Sequence, residues 1–209
     1  MKFPPVVLIG IDPAASGPTG VAVLGLGDPI LESIVGIENA KGCAALLETS
    51  LRLVQLEEPV HIAVGIEYPR WHGKGGGAAT VRAAANAWGR ILAAHFKSHD
   101  GVSAVHTFQI DPSTWQRDLL GDLWKAVGTK KASLMRVNQL LGMSTFDHNV
   151  SDAVCIAEYV EGLWQQKRIA WARDKRHTKR RHHQNSSRRG AGARAKARNA
   201  RHDADTDFE

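Results

Sequence analysis

Two apolar runs in this chain stop abruptly at a carboxylate, and they constrain its fold more than any other feature. Val6 to Ile11 reads Val-Val-Leu-Ile-Gly-Ile and ends at Asp12-Pro13, while His61 to Ile66 reads His-Ile-Ala-Val-Gly-Ile and ends at Glu67. Short apolar runs bounded by turn residues suit strands buried on both faces. Each would place an acid at a sheet end, where the backbone leaves the core. Gly20–Leu24 reads as the hairpin partner of the first run, Leu31–Ile37 as a third strand and Val102–Gln109 as a fifth. Helices are expected over Lys41–Glu58, Ala78–Lys97, Pro112–Leu120, Thr129–Leu141 and Val150–Gln166. Strands first, then alternating strand and helix, then helices alone predict an α/β domain with a mixed sheet.

Charge is divided unevenly. Residues 167–209 hold 14 of the 27 Lys/Arg but only 5 of the 21 Asp/Glu, so this last fifth is basic by +9 and the remainder is acidic by −3. From Arg173 to Arg201 there is almost nothing to bury, and the composition predicts a disordered basic tail over 168–209 with an acidic tip, after a domain spanning 1–167. Clustered Arg and Lys, Arg180 and Arg181 among them, gain affinity for nucleic acid by releasing counterions, without sequence preference. No uninterrupted apolar stretch is long enough for a membrane span, and the N-terminal run reads as a strand rather than a secretory signal. Cys43 and Cys155 lie far apart without metal-ligand spacing and read as buried small hydrophobes, as expected of a cytoplasmic protein.

A third acid, Asp152, begins an apolar helix (Ala153, Val154, Ile156, Ala157, Val160), and His148 stands four residues before it, on the same face if the helix starts early enough. Carboxylates gathered from distant parts of a chain suit Mg²⁺, a hard ion that keeps waters which substrate phosphates can replace. Two such ions can stabilise both the attacking and the leaving oxygen in phosphodiester cleavage. Singly, Asp12 could be a turn residue and Asp152 an ordinary helix-start acid; their joint placement with Glu67 carries the metal reading.

These residues resemble the RuvC family of Holliday-junction resolvases, in particular its phage-type branch, over most of 6–162. Ile9-Gly-Ile-Asp-Pro with Ser16, Thr19 and Gly20 resembles the first motif, and Gly65-Ile-Glu-Tyr-Pro the second. Asp111-Pro-Ser-Thr-Trp115 followed by Gly128-Thr-Lys-Lys131 resembles the segment before the last motif, and Asp147-His-Asn-Val-Ser-Asp152-Ala the last. The resemblance implies an RNase H-like fold with a mixed five-stranded sheet flanked by helices, and a homodimer. It also implies two Mg²⁺ ions (with Mn²⁺ as a substitute) and paired nicks in a four-way DNA junction during recombination or replication. It makes Asp12, Glu67 and Asp152 metal ligands. Many members carry an acid or His three residues before the final Asp, where this chain has Asn149. His148, as ligand or positioner of the attacking water, or Asp147, as ligand, is expected to serve instead.

Further residues suit a DNA enzyme. Arg70 and Trp71 follow Glu67 closely, and an aromatic at the rim could stack on unpaired bases. Lys130 and Lys131 open a helix and could contact phosphate. Glycines at 73 and 75–77 read as a mobile segment, and Gly89 as a close helix approach, either within the core or across a dimer interface. Two rival functions remain open: a nuclease of the same class acting on other branched or flap DNA, and a non-catalytic DNA-binding protein that relies on the basic tail.

Overall fold

A computed structural model describes residues 5–14, 16–25, 29–35, 41, 42, 45, 59–69, 77–97, 99–142 and 147–167. Arg70, Trp71, Arg180, Arg181, Cys43, the glycines at 73, 75 and 76, most of the expected helix over 41–58 and the tail from 168 lie outside the described residues. The chain divides into two units, Met1–Trp164 and Gln165–Glu209. The elements below belong to the first, apart from the last three residues of the final helix.

Five strands form one sheet: β1 (Val6–Asp12), β2 (Pro18–Leu24), β3 (Ile30–Val35), β4 (Val60–Glu67) and β5 (Val102–Ile110), in the order β3-β2-β1-β4-β5. β1 pairs antiparallel with β2 and parallel with β4; β2 and β3 are antiparallel, and β4 and β5 parallel. The helices are α1 (Gly77–Lys97), α2 (Pro112–Leu120), α3 (Leu123–Val127), α4 (Thr129–Leu141) and α5 (148–167). The sheet is mixed and five-stranded with helices packed on it, as expected. α3 was not anticipated: five residues, none of them buried, are too few to show helical periodicity.

Side chains alternate across a strand, so each strand feeds two cores. One face presents Val7, Ile9, Ile11, Val21, Val23, Ile62, Val64 and Ile66 to Ala85, Trp88, Leu92 and Phe96 of α1. These large β-branched and aromatic groups hold α1 at a distance, and at Gly89 an added Cβ would make only ordinary contact, 3.4 Å from Ile66. Of the two close approaches expected at Gly89, the one within the core is not made, because bulky strand side chains stand between α1 and the sheet.

The opposite face is small. Leu8, Ala22, Ala63 and Ile110 pack there with Trp115 and Leu120 of α2, Ala132 and Val137 of α4, and Val154, Ile156 and Val160 of α5. Gly10, Gly20 and Gly65 lie on this face by the same alternation. A Cβ on Gly10 would overlap the carbonyl oxygen of Ala153 and come within 2.6 Å of the Ala157 nitrogen, and one on Gly20 would overlap the carbonyl of Asn149. The backbone of α5 thus rests directly on β1 and β2. Cys155, facing this core, is fully buried, and burial pushes its thiol pKa up.

Candidate metal centre

Asp12 and Glu67 end neighbouring parallel strands. Ile11 pairs with Ile66, so the two acids leave the sheet at one level, on strands that typically run about 4.8 Å apart. Both side chains project to the face where α5 lies, two residues beyond Gly10 and Gly65 respectively. The glycine contacts that seat α5 bring Asp152 to the same place, next to Ala153, whose carbonyl meets Gly10.

The first turn of α5 is fastened at several points. Asp147 is its N-cap: Oδ1 accepts from the Asn149 backbone N–H at 2.8 Å, and Oδ2 accepts from the Ser33 hydroxyl at 2.5 Å. The Asn149 amide donates to the Pro18 carbonyl at 2.9 Å, tying the helix to β2. The Ser151 hydroxyl donates back to the Asp147 carbonyl at 3.0 Å. Asp147, Asn149 and Ser151 are thus committed to holding the helix.

Electrostatics show how tightly the acids crowd. Burial pushes Asp12 up to about 8, helped by repulsion from Glu67, Asp152 and Asp147 and opposed by Lys130. Burial pushes Glu67 up to about 7, a Trp115 hydrogen bond pulls it down, and Asp152 and Asp111 push it up. Asp152 is raised to about 6 by burial, against a pull from Ser133, His148 and Lys130. The Ser133 hydroxyl, which also donates to the Lys130 carbonyl at 3.1 Å, is the hydrogen-bonding group that pulls Asp152 down. Asp152 Oδ1 is buried with no hydrogen-bond partner.

An uncompensated buried carboxylate oxygen costs several kcal/mol unless a cation or donor meets it. Among the described residues no three His, Cys, Asp or Glu side chains stand close enough to make a finished ligand cage. Asp12, Glu67 and Asp152 are near enough to raise one another electrostatically without closing into such a cage. An oxygen-rich patch with an orphaned carboxylate oxygen nevertheless fits a hard divalent cation, and Asp12, Glu67 and Asp152 are the residues that would hold it.

The structure sorts the remaining sequence candidates. His148 is exposed on the first turn of α5 and acts electrostatically on Asp152. Asp147 is near enough to raise Asp12, but both its oxygens are engaged in capping and in the Ser33 bond. Lys130 is exposed at the start of α4 and acts on both Asp12 and Asp152, whereas no such link joins Lys131 to the acids.

One participant escaped sequence reasoning. Trp115 Nε1 donates to Glu67 Oε2 at 2.9 Å from a fully buried position in α2. Its helix is announced by Asp111, which caps α2 by accepting from the Ser113 N–H at 3.0 Å, and by Pro112 in its first turn. An apolar-face Trp whose N–H needs a partner was the available clue.

No family model and no curated protein matches the chain. Solved structures resemble it at low identity. T. thermophilus RuvC in complex with a Holliday junction substrate is 18% identical, covering 78% of this chain and 96% of that one with a TM-score of 0.49. The human cytomegalovirus terminase nuclease domain, Mn-soaked and inhibitor-bound, is 14% identical over 76% and 83% of the two chains, with a TM-score of 0.44. The yeast mitochondrial Holliday junction resolvase Ydc2 is 12% identical over 74% and 77%, with a TM-score of 0.33. The strand order β3-β2-β1-β4-β5, an antiparallel β3-β2-β1 meander continued by parallel β4 and β5, with helices on both faces, is the mixed five-stranded α/β arrangement that the motif resemblance implies.

Proposed function

We propose that this protein is a divalent-metal-dependent nuclease that resolves Holliday junctions, acting as a homodimer on four-way DNA. The observation that supports the metal reading is the placement of Asp12 and Glu67 at neighbouring strand ends, near enough to Asp152 to be raised by it, with Asp152 Oδ1 buried and unpartnered. Bound Mg²⁺, or Mn²⁺ in its place, would polarise the scissile phosphate and ease deprotonation of water there. The chain's own residues hold and screen the reactants. Asp12, Glu67 and Asp152 supply hard oxygen ligands. Lys130, exposed beside them, suits a phosphate oxygen of the bound strand. His148, four residues from Asp152 on the same helix, is the proposed group to orient the attacking water or accept its proton. Asp147, busy as a cap, is the weaker candidate for a fourth ligand.

The junction preference and the dimer rest on the motif resemblance. Symmetric nicking of a two-fold junction requires two sites related by a dyad. Arg70 and Trp71, which follow Glu67 closely in sequence, Lys131, and Arg180 and Arg181 in the basic tail are proposed DNA contacts, the tail offsetting the acidity of the body. The cytoplasm of the cell where the DNA is processed is the proposed location; no described helix is long and apolar enough to cross a membrane.

The deciding experiment is cleavage of a synthetic four-way junction beside a linear duplex of the same sequence, with and without Mg²⁺, using Asp12→Asn as control. Metal-dependent cutting of the junction alone, lost in Asp12→Asn, is expected. Equal cutting of the duplex overturns the resolvase assignment in favour of a less selective nuclease on branched or flap DNA. Undiminished cutting by Asp12→Asn overturns the site, and binding without cutting leaves a DNA-binding protein.

A further inference from the structure

Among the described residues, the buried indole N–H groups of Trp88, Trp124 and Trp164 have no hydrogen-bond partner. Trp115 differs. It is fully buried, and its N–H lies 2.9 Å from Oε2 of Glu67. A protein that tolerates unpaired indoles elsewhere has aimed this one at a carboxylate of its acidic patch.

Three properties suit such a donor to its place. The ring is packed in the core with Ile110, Leu120 and α5 residues, so the N–H is fixed by the same contacts that fix the domain. The group is neutral, so it restrains an oxygen without cancelling the charge that attracts a cation, as a Lys or Arg in its place would. Glutamate has one more side-chain torsion than aspartate, so Glu67 is the member of the triad with most freedom to lose on ligation. Asp12 and Asp152 have shorter arms set directly on the sheet end and on α5.

We infer that Trp115 is a positioning residue: it holds Oε2 of Glu67 and thereby leaves Oε1 as the oxygen available to a divalent cation. The inference rests on the metal-dependent reading of the site. Outer-shell partners of metal ligands typically change affinity by about 10–100-fold when removed. Trp115 touches neither substrate nor cation in this scheme and acts only through Glu67.

The test uses the full chain and Trp115→Phe, which keeps most of the ring volume and deletes the donor. Calorimetric titration with Mg²⁺ and Mn²⁺ is expected to show about tenfold weaker binding in Trp115→Phe. Cleavage at low Mg²⁺ should fall in parallel and recover at high Mg²⁺, with the KM for DNA unchanged. In the wild-type protein, the ¹⁵N–¹H signal of the Trp115 indole should shift as Mg²⁺ is added, and Glu67→Ala should abolish that response. This measurement stands even if Trp115→Phe folds poorly. Equal metal affinity in Trp115→Phe and wild type, or an indole signal indifferent to Mg²⁺, overturns the positioning role alone. A wild-type protein that binds neither ion overturns the metal reading and this inference together.

Discussion

Asn149 reaches from the first turn of α5 to donate its side-chain amide to the carbonyl of Pro18, the first residue of β2, at 2.9 Å. In the family this chain resembles, that position commonly carries an acid or His. Here the amide serves as a strap, which only a donor can provide. Asn149→Asp should therefore not create a fourth ligand. It would set a carboxylate against a carbonyl oxygen and is expected to cost about 1–3 kcal/mol, a Tm loss of roughly 3–8 °C in a chain of this size. Tighter Mg²⁺ binding by Asn149→Asp without loss of Tm would show that the strap is dispensable.

The seating of α5 gives a second expectation. Gly10→Ala or Gly20→Ala pushes a methyl group into helix backbone, which cannot step aside as a flexible side chain can. Overpacking of this kind costs about 1–3 kcal/mol, and here it also lifts Asp152 away from Asp12. Gly162→Ala, within the same helix and with nothing within 4 Å of the new Cβ, is the control. It should leave Tm unchanged or raise it, because alanine is favoured over glycine in a helix by about 1 kcal/mol. Thermal melts with and without Mg²⁺ compare the variants, and wild-type stability in Gly10→Ala would contradict the direct backbone contact.

The acidic patch makes stability depend on pH in an unusual direction. Asp12 sits at about 8 when folded against an ordinary 3.8. Between those values the folded state binds more protons than the unfolded chain, so metal-free stability falls as pH rises through that window. Glu67 and Asp152 act in the same sense over narrower windows. Asp12→Asn removes one buried charge and should raise the metal-free Tm at pH 8 by roughly 2–6 °C, for about 1–2 kcal/mol regained. Added Mg²⁺ should stabilise the wild type most at pH 8, where the ligands are ionised, and release protons on binding at pH 6–7. A metal-free Tm that is flat from pH 5 to 8 would sink this account.

Lys130 and Lys131 are neighbours in sequence and are expected to part company in function. Lys130 favours the ionised forms of both Asp12 and Asp152. Lys130→Ala is expected to lower the cleavage rate by at least about tenfold with little change in Tm, while Lys131→Ala stays within about threefold. Because Lys130 favours the ionised acids, its removal should also move the rising limb of the pH–rate profile to higher pH. Equal losses in both variants would mean that the pair merely contacts DNA.

Much of this arrangement was legible in the residues. The two carboxylate-terminated runs are strands, and their parallel pairing at Ile11 and Ile66 sets the acids side by side. The ends of α2 and α4 fell where Pro112, Gly121, Thr129 and Gly142 place them. Long-range partners were not legible. Periodicity says that Trp115 is buried but not that its N–H meets Glu67, 48 residues away. Similarly, nothing local distinguishes Asp147 as a cap from Asp147 as a ligand; the answer depends on Ser33 and on where α5 begins. The close approach of α5 was half visible. Gly10 and Gly65 each stand two residues before an acid, on the same face of the strand, but only the packed helix explains why no side chain is there.

That bare face has a consequence for inheritance. Every amino acid other than glycine carries a Cβ, so no amino-acid-changing mutation at Gly10 or Gly20, however conservative by chemical class, leaves room for the α5 backbone. At those two positions any exchange must be met by a shift of the α5 backbone, and with it of Asp152.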